Sequence, residues 1–452
     1  MENLKIRNTK KYKKIKKSTS FQKLFLKSRG NSLYSLYSLY SLFTTMQNIT
    51  PENYQQLNLS PETLAIRLSQ QRSIYGEHSE ALYLTSSFLF DDAQQAYNRF
   101  TDKEGGYTYS RADNPTITNF TNKLAVLENA ESCVATSSGM SAILATMMAF
   151  LNAGDEIIAS ASLFSTTMGF FNNFLKKLNI KTHYVKMTDL SAWEQVIASD
   201  KDGKIKIAFV ESPSNPMAEV ADLQGIAEIV HNKAKNKILF LVDNCALTPI
   251  LQQPLKFGAD LVIHSATKFM DGQGRVLGGA VCGNKELTNE IYKFIKTCGV
   301  TLPVFNAWVL SKGLETLALR VKAQSNNAFE LAKWLQNQPQ IETVFYPFLE
   351  THPQYELAKK QQLGGGALFG FVVKGGKDAA WQVVNSCKML SITSNFGDVK
   401  TTISHPQTCS HATLTQAEFD LANISAGAIR IGVGLENLDD IKNDLLRGLS
   451  KI

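Results

Sequence analysis

The sequence places a lysine directly after a run of residues typical of a buried strand. Lys268 closes the pentapeptide HSATK at 264–268, and the apolar run ADLVIHS at 259–265 leads into it. A lysine in this position loses hydration, which lowers the pKa of its ammonium group, and a neutral amine can form an imine with an aldehyde. Taken alone, a strand-end lysine that reaches out to water is the commoner arrangement.

Two further features make this lysine part of a larger pattern. Asp243 ends the run ILFLVDN at 238–244, about one strand-helix-strand unit before Lys268. A carboxylate beside a pyridine nitrogen keeps that nitrogen protonated, which lets pyridoxal phosphate act as an electron sink. Ser138, Gly139 and Met140 stand at the start of an apolar helix predicted at 139–151, where backbone N–H groups can hold a phosphate. Each feature alone is also ordinary helix capping, but together they predict a site for pyridoxal 5′-phosphate.

The surrounding pattern predicts the elements that position these groups. Apolar, β-branched runs that end in polar residues are typical of strands buried on both faces, with a ligand site at their carboxyl ends. They occur at 156–159, 205–211, 238–244 and 259–265. A helix is predicted at 310–323, and strands are predicted at 364–373 and 429–434. We therefore expect an α/β fold with an extended N-terminal arm at 46–110, a cofactor domain at 111–312 and a smaller α/β domain at 313–452.

The formal net charge of +7 is concentrated at one end of the chain. Residues 1–45 hold 11 basic residues and one acidic residue, whereas the remainder carries 36 basic and 39 acidic residues. This leader contains KKYKKIKK at 10–17 and a Leu-Tyr-Ser repeat, so we expect it to be low-complexity and without globular structure. Translation from Met46 and an organellar presequence are both open explanations, and the lysine-rich character favours the first.

Composition also excludes several classes of protein. The longest apolar stretch, 140–151, is well short of the roughly 20 residues that a membrane span needs. Six cysteines are scattered without a CxxC pair, which argues against a disulfide framework and a structural zinc site. We expect a cytoplasmic enzyme with no metal, no membrane and no nucleic acid as partner. A nucleic-acid binder that uses the leader is the remote alternative.

The motifs together resemble a known family, the pyridoxal-phosphate enzymes of cysteine and methionine metabolism. The resemblance extends from about residue 60 to 450 and is carried by YSRADNPT (109–116), ATSSGM (135–140), ESPSNP (211–216), VDN (242–244), HSATK (264–268) and IRIGVGLE (429–436). It implies a type I aminotransferase-like fold, with a large mixed-sheet cofactor domain, a smaller C-terminal domain and an N-terminal arm. It also implies a homotetramer whose active sites are shared between two subunits.

The resemblance assigns a role to each matching residue. It implies that Lys268 binds the cofactor's aldehyde and acts as catalytic base, and that Asp243 contacts the pyridine nitrogen. It places the remaining cofactor contacts at Ser138, Gly139, Met140, Phe164, Asn215, Ser265, Thr267 and, from the neighbouring subunit, Tyr109 and Arg111. It assigns Arg430 to the substrate α-carboxylate, with Asn395 also at the substrate. Tyr109 is further implied to assist catalysis.

Two departures from the family pattern bear on the reaction. Phe164 stands where many relatives have a tyrosine, so it can stack on a ring but not transfer a proton. The reactive cysteine that methionine γ-lyases tend to carry just after this position is missing. Phe164 and the segment DGQGRVLGG (271–279) are most similar to O-succinylhomoserine sulfhydrylases. This implies γ-replacement on a homoserine ester by hydrogen sulfide, giving homocysteine for methionine biosynthesis. Cystathionine γ-synthase and O-acetylhomoserine sulfhydrylase are the alternatives.

Overall fold

The computed structural model describes residues 54–69, 72–73 and 75–452. The basic leader predicted at 1–45 lies outside these residues. The chain divides into two compact units, and the larger comprises residues 50–69 and 82–452. The smaller comprises 1–49 and 70–81; in its described part, the Glu77 carboxylate accepts hydrogen bonds from the Ser73 N–H and hydroxyl, both at 2.7 Å.

The larger unit contains two β-sheets. The first sheet is built from β1 (Ser132–Thr136), β2 (Glu156–Ser160), β3 (Lys181–Val185), β4 (Ile205–Glu211), β5 (Leu239–Asp243), β6 (Leu261–Ser265) and β7 (Gly279–Gly283). The second is built from β8 (Ile341–Phe345), β9 (Leu368–Val373), β10 (Ser391–Ile392), β11 (Thr402–Ser404) and β12 (Ala428–Gly432). The predicted strands at 156–159, 205–211, 238–244, 259–265, 364–373 and 429–434 are confirmed.

Helices surround the sheets. In chain order they are α1 (Pro61–Arg67), α2 (Ala93–Phe100), α3 (Pro115–Leu127), α4 (Gly139–Phe150), α5 (Ser165–Asn173), α6 (Leu190–Ser199), α7 (Leu223–Asn232), α8 (Thr248–Leu251), α9 (Lys285–Cys298), α10 (Val304–Glu315), α11 (Leu317–Gln336), α12 (Tyr355–Gln361), α13 (Gly376–Ser386), α14 (Gln416–Leu421) and α15 (Leu438–Leu449). Single 3₁₀ turns occur at Tyr54–Leu57, Leu175–Leu178, Pro254–Phe257 and Pro406–Thr408. None of the helices in the described ranges is long and apolar enough to cross a membrane.

The order of strands in the first sheet is β1-β7-β6-β5-β4-β2-β3. The strands β3, β2, β4, β5 and β6 run parallel, and β7 is antiparallel to both β6 and β1. The carboxyl ends of β1, β4, β5 and β6 therefore share one edge. Successive residues of β4 point into two different core clusters, with Phe209 in one and Val210 in the other. Burial on both faces explains why the strand is continuously apolar.

The order in the second sheet is β10-β11-β12-β9-β8, and its long pairs are antiparallel. The first sheet ends at residue 283 and the second begins at 341, on opposite sides of the predicted boundary between 312 and 313. That boundary stays a prediction. The α/β fold with mixed sheets agrees with the fold class predicted from the sequence.

Two details of the predicted organisation are wrong. The region predicted as an extended arm contains α1 and α2, whose first turns are capped by the side chains of Ser60 and Asp92. The helix predicted at 310–323 is interrupted at Thr316, between α10 and α11. At this break the Arg320 guanidinium donates to the Gly313 carbonyl at 2.9 Å, so a side chain replaces the helical partner of that carbonyl.

Candidate active site

A cavity of about 220 Å³ lies at the edge where β4, β5 and β6 end. Most of the predicted cofactor contacts line it: Ser138, Gly139, Met140, Phe164, Asn215, Asp243, Ser265, Thr267 and Lys268. A larger, more open groove of about 780 Å³ near α3 and α9 contains none of the predicted site residues. The structure thus brings together residues that are up to 130 positions apart in sequence.

The start of α4 forms one wall of this cavity. Ser138 caps the helix, and its hydroxyl accepts the N–H of Ser141 at 3.1 Å. A Cβ on Gly139 would lie 2.7 Å from the side chain of Ser265, so only glycine allows this close approach. Hydroxyl groups of Ser265 and Thr267 face the same space. Free N–H groups at a helix N-terminus with hydroxyls beside them suit a phosphate.

Asp243 lies at the end of β5, and its carboxylate accepts the N–H of Cys245 at 3.0 Å. Burial raises the pKa of Asp243, while the hydrogen bonds of Cys245 and the charges of His264 and Lys268 lower it. A buried carboxylate with these neighbours is a good acceptor for a protonated ring nitrogen.

Lys268 follows β6 and is mostly buried. Its Nζ donates to Oδ1 of Asn395 at 2.7 Å and lies 4.8 Å from the centre of the Phe396 ring. Burial lowers the pKa of Lys268, and the charge of Arg430 lowers it further, against the opposing influence of Cys245 and Asp243. The amine therefore loses its proton more easily than an exposed lysine does, as a nucleophile or base requires.

Arg430 is fully buried in β12. Its Nη2 donates to the carbonyl oxygens of Thr393, Ser394 and Asn395 at 3.0–3.1 Å. Its Nε and Nη1 have no hydrogen-bond partner among the described residues. Burial lowers the pKa of Arg430 to about 10, so the guanidinium stays charged at neutral pH. Unpaired donors on a buried, charged guanidinium are explained by an anionic ligand such as a carboxylate.

Phe164 and Asn215 complete the cavity wall. The N–H of Phe164 donates to Oε2 of Glu211 at 2.8 Å, and its ring packs edge-on against His411 with 6.4 Å between ring centres. Asn215 is buried, and its Oδ1 has no partner in the described part of the chain. An unpaired buried oxygen at the cavity is explained by a ligand that donates a hydrogen bond to it, either directly or through a water molecule.

Tyr109 and Arg111 do not line this cavity. They pack against each other, with the Arg111 Cζ 5.3 Å from the centre of the Tyr109 ring. Arg111 also donates through Nε to the carbonyl of Lys296 at 3.0 Å, and Tyr109 is 45% exposed. Within one chain the structure leaves this pair apart from Lys268.

Several residues that line the cavity have no role predicted from the sequence, among them Glu211, Cys245, Ser394 and Phe396. Glu211 had a usable signal, because it ends a predicted strand just as Asp243 does. Cys245 lies two residues after Asp243, and its Sγ accepts the N–H of Ser265 at 2.7 Å. Ser394 and Phe396 lie on a loop whose position depends on the second sheet, so the local sequence gave no sign of their role.

Comparison with known proteins gives consistent matches across this region. The sequence profile of the family described as Cys/Met metabolism PLP-dependent enzyme matches residues 62–450. The O-succinylhomoserine sulfhydrylase of Pseudomonas aeruginosa is 50% identical over 391 residues, covering 86% of this chain and 95% of that protein. The L-methionine gamma-lyase of Fusobacterium nucleatum subsp. polymorphum is 38% identical, covering 86% and 98% of the two chains. The crystal structure of cystathionine gamma synthase from Xanthomonas oryzae pv. oryzae in complex with aminoacrylate and cysteine superposes with a TM-score of 0.81 at 32% identity, covering 87% and 98%.

Proposed function

The chain belongs to the Cys/Met metabolism PLP-dependent enzyme family, and we propose that it catalyses γ-replacement on O-succinyl-L-homoserine. In this reaction hydrogen sulfide displaces succinate, and the product is L-homocysteine. One observation carries the proposal. The side-chain oxygen of Asn395 accepts a hydrogen bond from the Lys268 amine, and its backbone carbonyl accepts one from the Arg430 guanidinium. A base and a carboxylate-binding group thus converge on the same residue. The likeness to the Pseudomonas aeruginosa sulfhydrylase supports the choice of succinyl ester.

The cofactor of the family is pyridoxal 5′-phosphate, and the residues of the cavity fit it. Gly139 leaves room at the start of α4 for a phosphate, and the unpaired Oδ1 of Asn215 offers a polar contact. We assign the phosphate to the α4 N-terminus with Ser265 and Thr267, the ring nitrogen to Asp243, and the aldehyde carbon to Lys268. When bound, the cofactor supplies an electron-withdrawing ring conjugated to the nitrogen of the amino acid.

The amino acid is oriented by Arg430 in this proposal. Its charged guanidinium, with Nε and Nη1 unpaired, binds the α-carboxylate, while Nη2 is bonded to the loop at 393–395. The support is that these two donors are buried without a partner among the described residues, as an anionic ligand would explain. Orienting the carboxylate fixes which face of the substrate's α-carbon is turned toward the amine of Lys268.

Lys268 moves the protons. Its Nζ removes a proton from Cα and then from Cβ of the substrate, and the bond between Cγ and the succinate oxygen breaks. Hydrogen sulfide then forms a bond to Cγ, and Lys268 returns protons to the carbon atoms. Phe164 has no ionisable group, so it contributes an apolar face and leaves the proton transfers to the lysine.

A two-by-two assay tests the choice of substrates. The purified enzyme is given O-succinyl- or O-acetylhomoserine, each with sulfide or cysteine, and homocysteine and cystathionine are measured. We expect the highest kcat/KM for the succinyl ester with sulfide. Faster formation of cystathionine would instead favour a cystathionine γ-synthase, which the similarity to the Xanthomonas oryzae structure supports as second candidate. A control without added sulfur nucleophile measures elimination to a 2-oxo acid, the γ-lyase activity.

The oligomer is part of the same proposal. We propose that Tyr109 and Arg111 of one subunit complete the cofactor site of a neighbouring subunit in a homotetramer. The support is that both residues lie outside their own chain's cavity and that Arg111 keeps charged donors exposed. The cytoplasmic location and the domain boundaries stay predictions.

A further inference from the structure

A second carboxyl group lies beside Asp243 at the bottom of the cavity. Glu211 ends β4, and the strand register places it opposite Asp243 at the end of β5. Both residues line the cavity, and Glu211 is only 8% exposed. The reaction proposed above uses Asp243 alone, so a buried carboxyl next to the cofactor site has no assigned role.

The contacts of Glu211 connect two walls of the cavity. Its Oε2 accepts the N–H of Phe164 at 2.8 Å, and its carboxyl also accepts the N–H of Asn215. Phe164 stands at the N-cap position of α5, where its own side chain cannot cap the helix. Glu211 therefore pairs the N–H of Phe164, one of the first four N–H groups of α5 that lack a helical acceptor, and it holds the backbone of both residues.

The charges around the pair are unequal. Burial raises the pKa of Asp243, but the hydrogen bonds of Cys245 and the nearby Lys268 and His264 oppose this rise. Burial and the charge of Asp243 raise the pKa of Glu211 well above its usual range, although the two N–H donors oppose this. The thiol of Cys245 also faces both carboxyls, and burial raises the pKa of that thiol, so Cys245 adds no negative charge. Two neighbouring carboxyls in such a site share one proton, and Asp243, whose pKa is raised less than that of Glu211, stays ionised.

We propose that Glu211 is a positioning residue whose carboxyl carries the proton of this pair. As a neutral acid it fixes the backbone of Phe164 and Asn215, and it leaves Asp243 as the single anion for the cofactor's ring nitrogen. The proposal rests on the proposed placement of the cofactor, not on the choice of ester or sulfur donor. It predicts that glutamine, a neutral acceptor of the same shape, replaces Glu211 well, whereas alanine does not.

Infrared spectroscopy of the holoenzyme at pH 7 tests the protonation. The wild type is expected to show the C=O band of a protonated carboxylic acid, and E211Q is expected to lose it. Glu219 is the matched control, because it is equally buried, bonds to Ser162 and does not line the cavity. The Glu211 band must therefore persist in E219Q. Absence of the band in the wild type, or its persistence in E211Q, overturns the proposal.

Binding of pyridoxal phosphate to the apoenzymes tests the positioning. We expect E211Q to change the cofactor Kd by less than about threefold, since one neutral acceptor replaces another. We expect E211A to raise it about tenfold or more, because two N–H groups lose their buried partner. If E211Q binds the cofactor as weakly as E211A does, the charge of Glu211 is needed. If the cofactor Kd of E211A equals that of the wild type, Glu211 positions nothing. Either result overturns the proposal.

These readouts separate the two proposals. A wrong choice of ester or nucleophile leaves the infrared band and the cofactor Kd unchanged. If the wild type itself fails to bind the cofactor, the proposed placement fails instead. If E211A does not fold, the infrared band and the cofactor Kd of E211Q relative to the wild type still test the proposal.

Discussion

The cofactor side and the substrate side of the active site solve different electrostatic problems. On the cofactor side, at the ends of β5 and β6, burial raises the pKa of Asp243 and lowers that of Lys268. On the substrate side, in β12, Arg430 is fully buried but donates to three carbonyl oxygens and keeps its charge. Lys268 must exchange protons during the reaction, whereas Arg430 must keep its charge throughout. Burial alone therefore does not determine what a charged group can do; its hydrogen-bond partners and intrinsic pKa decide.

The largest expected effect comes from removing the amine on the cofactor side. We expect K268A to lower kcat by about 10⁴-fold or more, since one amine is both covalent anchor and general base. The visible absorbance of bound cofactor should shift to that of the free aldehyde. Turnover is measured with the succinyl ester and sulfide, and the cofactor content of the variant is measured separately. Substantial activity in cofactor-loaded K268A would refute the role of Lys268.

Removing the guanidinium on the substrate side is expected to have a smaller and separable effect. R430A loses the charge-assisted hydrogen bonding to the carboxylate, so we expect kcat/KM to fall about 10²–10³-fold. The cofactor Kd should stay within a few-fold of the wild-type value. R430K is the matched control, because it keeps the charge but not the two-pronged geometry, and it should recover part of the activity. An equal loss of cofactor binding in R430A would mean that the two sides are not independent.

The difference between the two sides also explains what the sequence revealed. Asp243 and Lys268 are local signals, because each follows a continuous apolar strand and parallel strands bring their ends to one edge. Glu211 carries the same signal but went unassigned, since only the register with β5 shows that it lies beside Asp243. The free Nε and Nη1 of Arg430 depend on a loop from a distant segment, which no local pattern describes. The break at Thr316 was missed because both flanking sequences favour a helix.

Arg111 is expected to complete the cofactor side of a neighbouring subunit. If Arg111 binds the phosphate of a neighbouring subunit, R111A should weaken cofactor binding about 10–100-fold through loss of charge-assisted hydrogen bonds. In a mixed oligomer, an R111A chain still contributes Lys268 and a K268A chain still contributes Arg111. Some shared sites would therefore contain both wild-type residues. At a cofactor concentration that leaves R111A largely unloaded, unfolding and refolding the two variants together should restore activity that neither shows alone. A mixture that stays inactive, although both variants assemble, would place Arg111 outside the shared site.

The smallest expected effect concerns His411, which packs against Phe164 and lies within the electrostatic influence of Arg430. Its ring packs against Phe164, and burial, with the charge of Arg430, lowers the pKa of His411 to about 4. The folded protein therefore keeps this histidine neutral, while the unfolded chain binds a proton below about pH 6.5. Unfolded chains then hold more protons, so stability must fall as the pH decreases from 6.5 toward 4.

Substitution of this histidine should remove its share of the pH dependence. We expect H411N to reduce the loss in free energy of unfolding between pH 7 and pH 5 by roughly 1–2 kcal/mol, measured by denaturant titration at both pH values. His352 is the control, because burial lowers its pKa to about 4 as well, yet its Nδ1 accepts the N–H of Gln354, away from Phe164 and Arg430. H352N should flatten the profile by a similar amount and leave the cofactor Kd unchanged. If H411N leaves the pH profile as steep as in the wild type, His411 titrates in the folded protein as it does in the unfolded chain, and its position between the two sides has no electrostatic consequence.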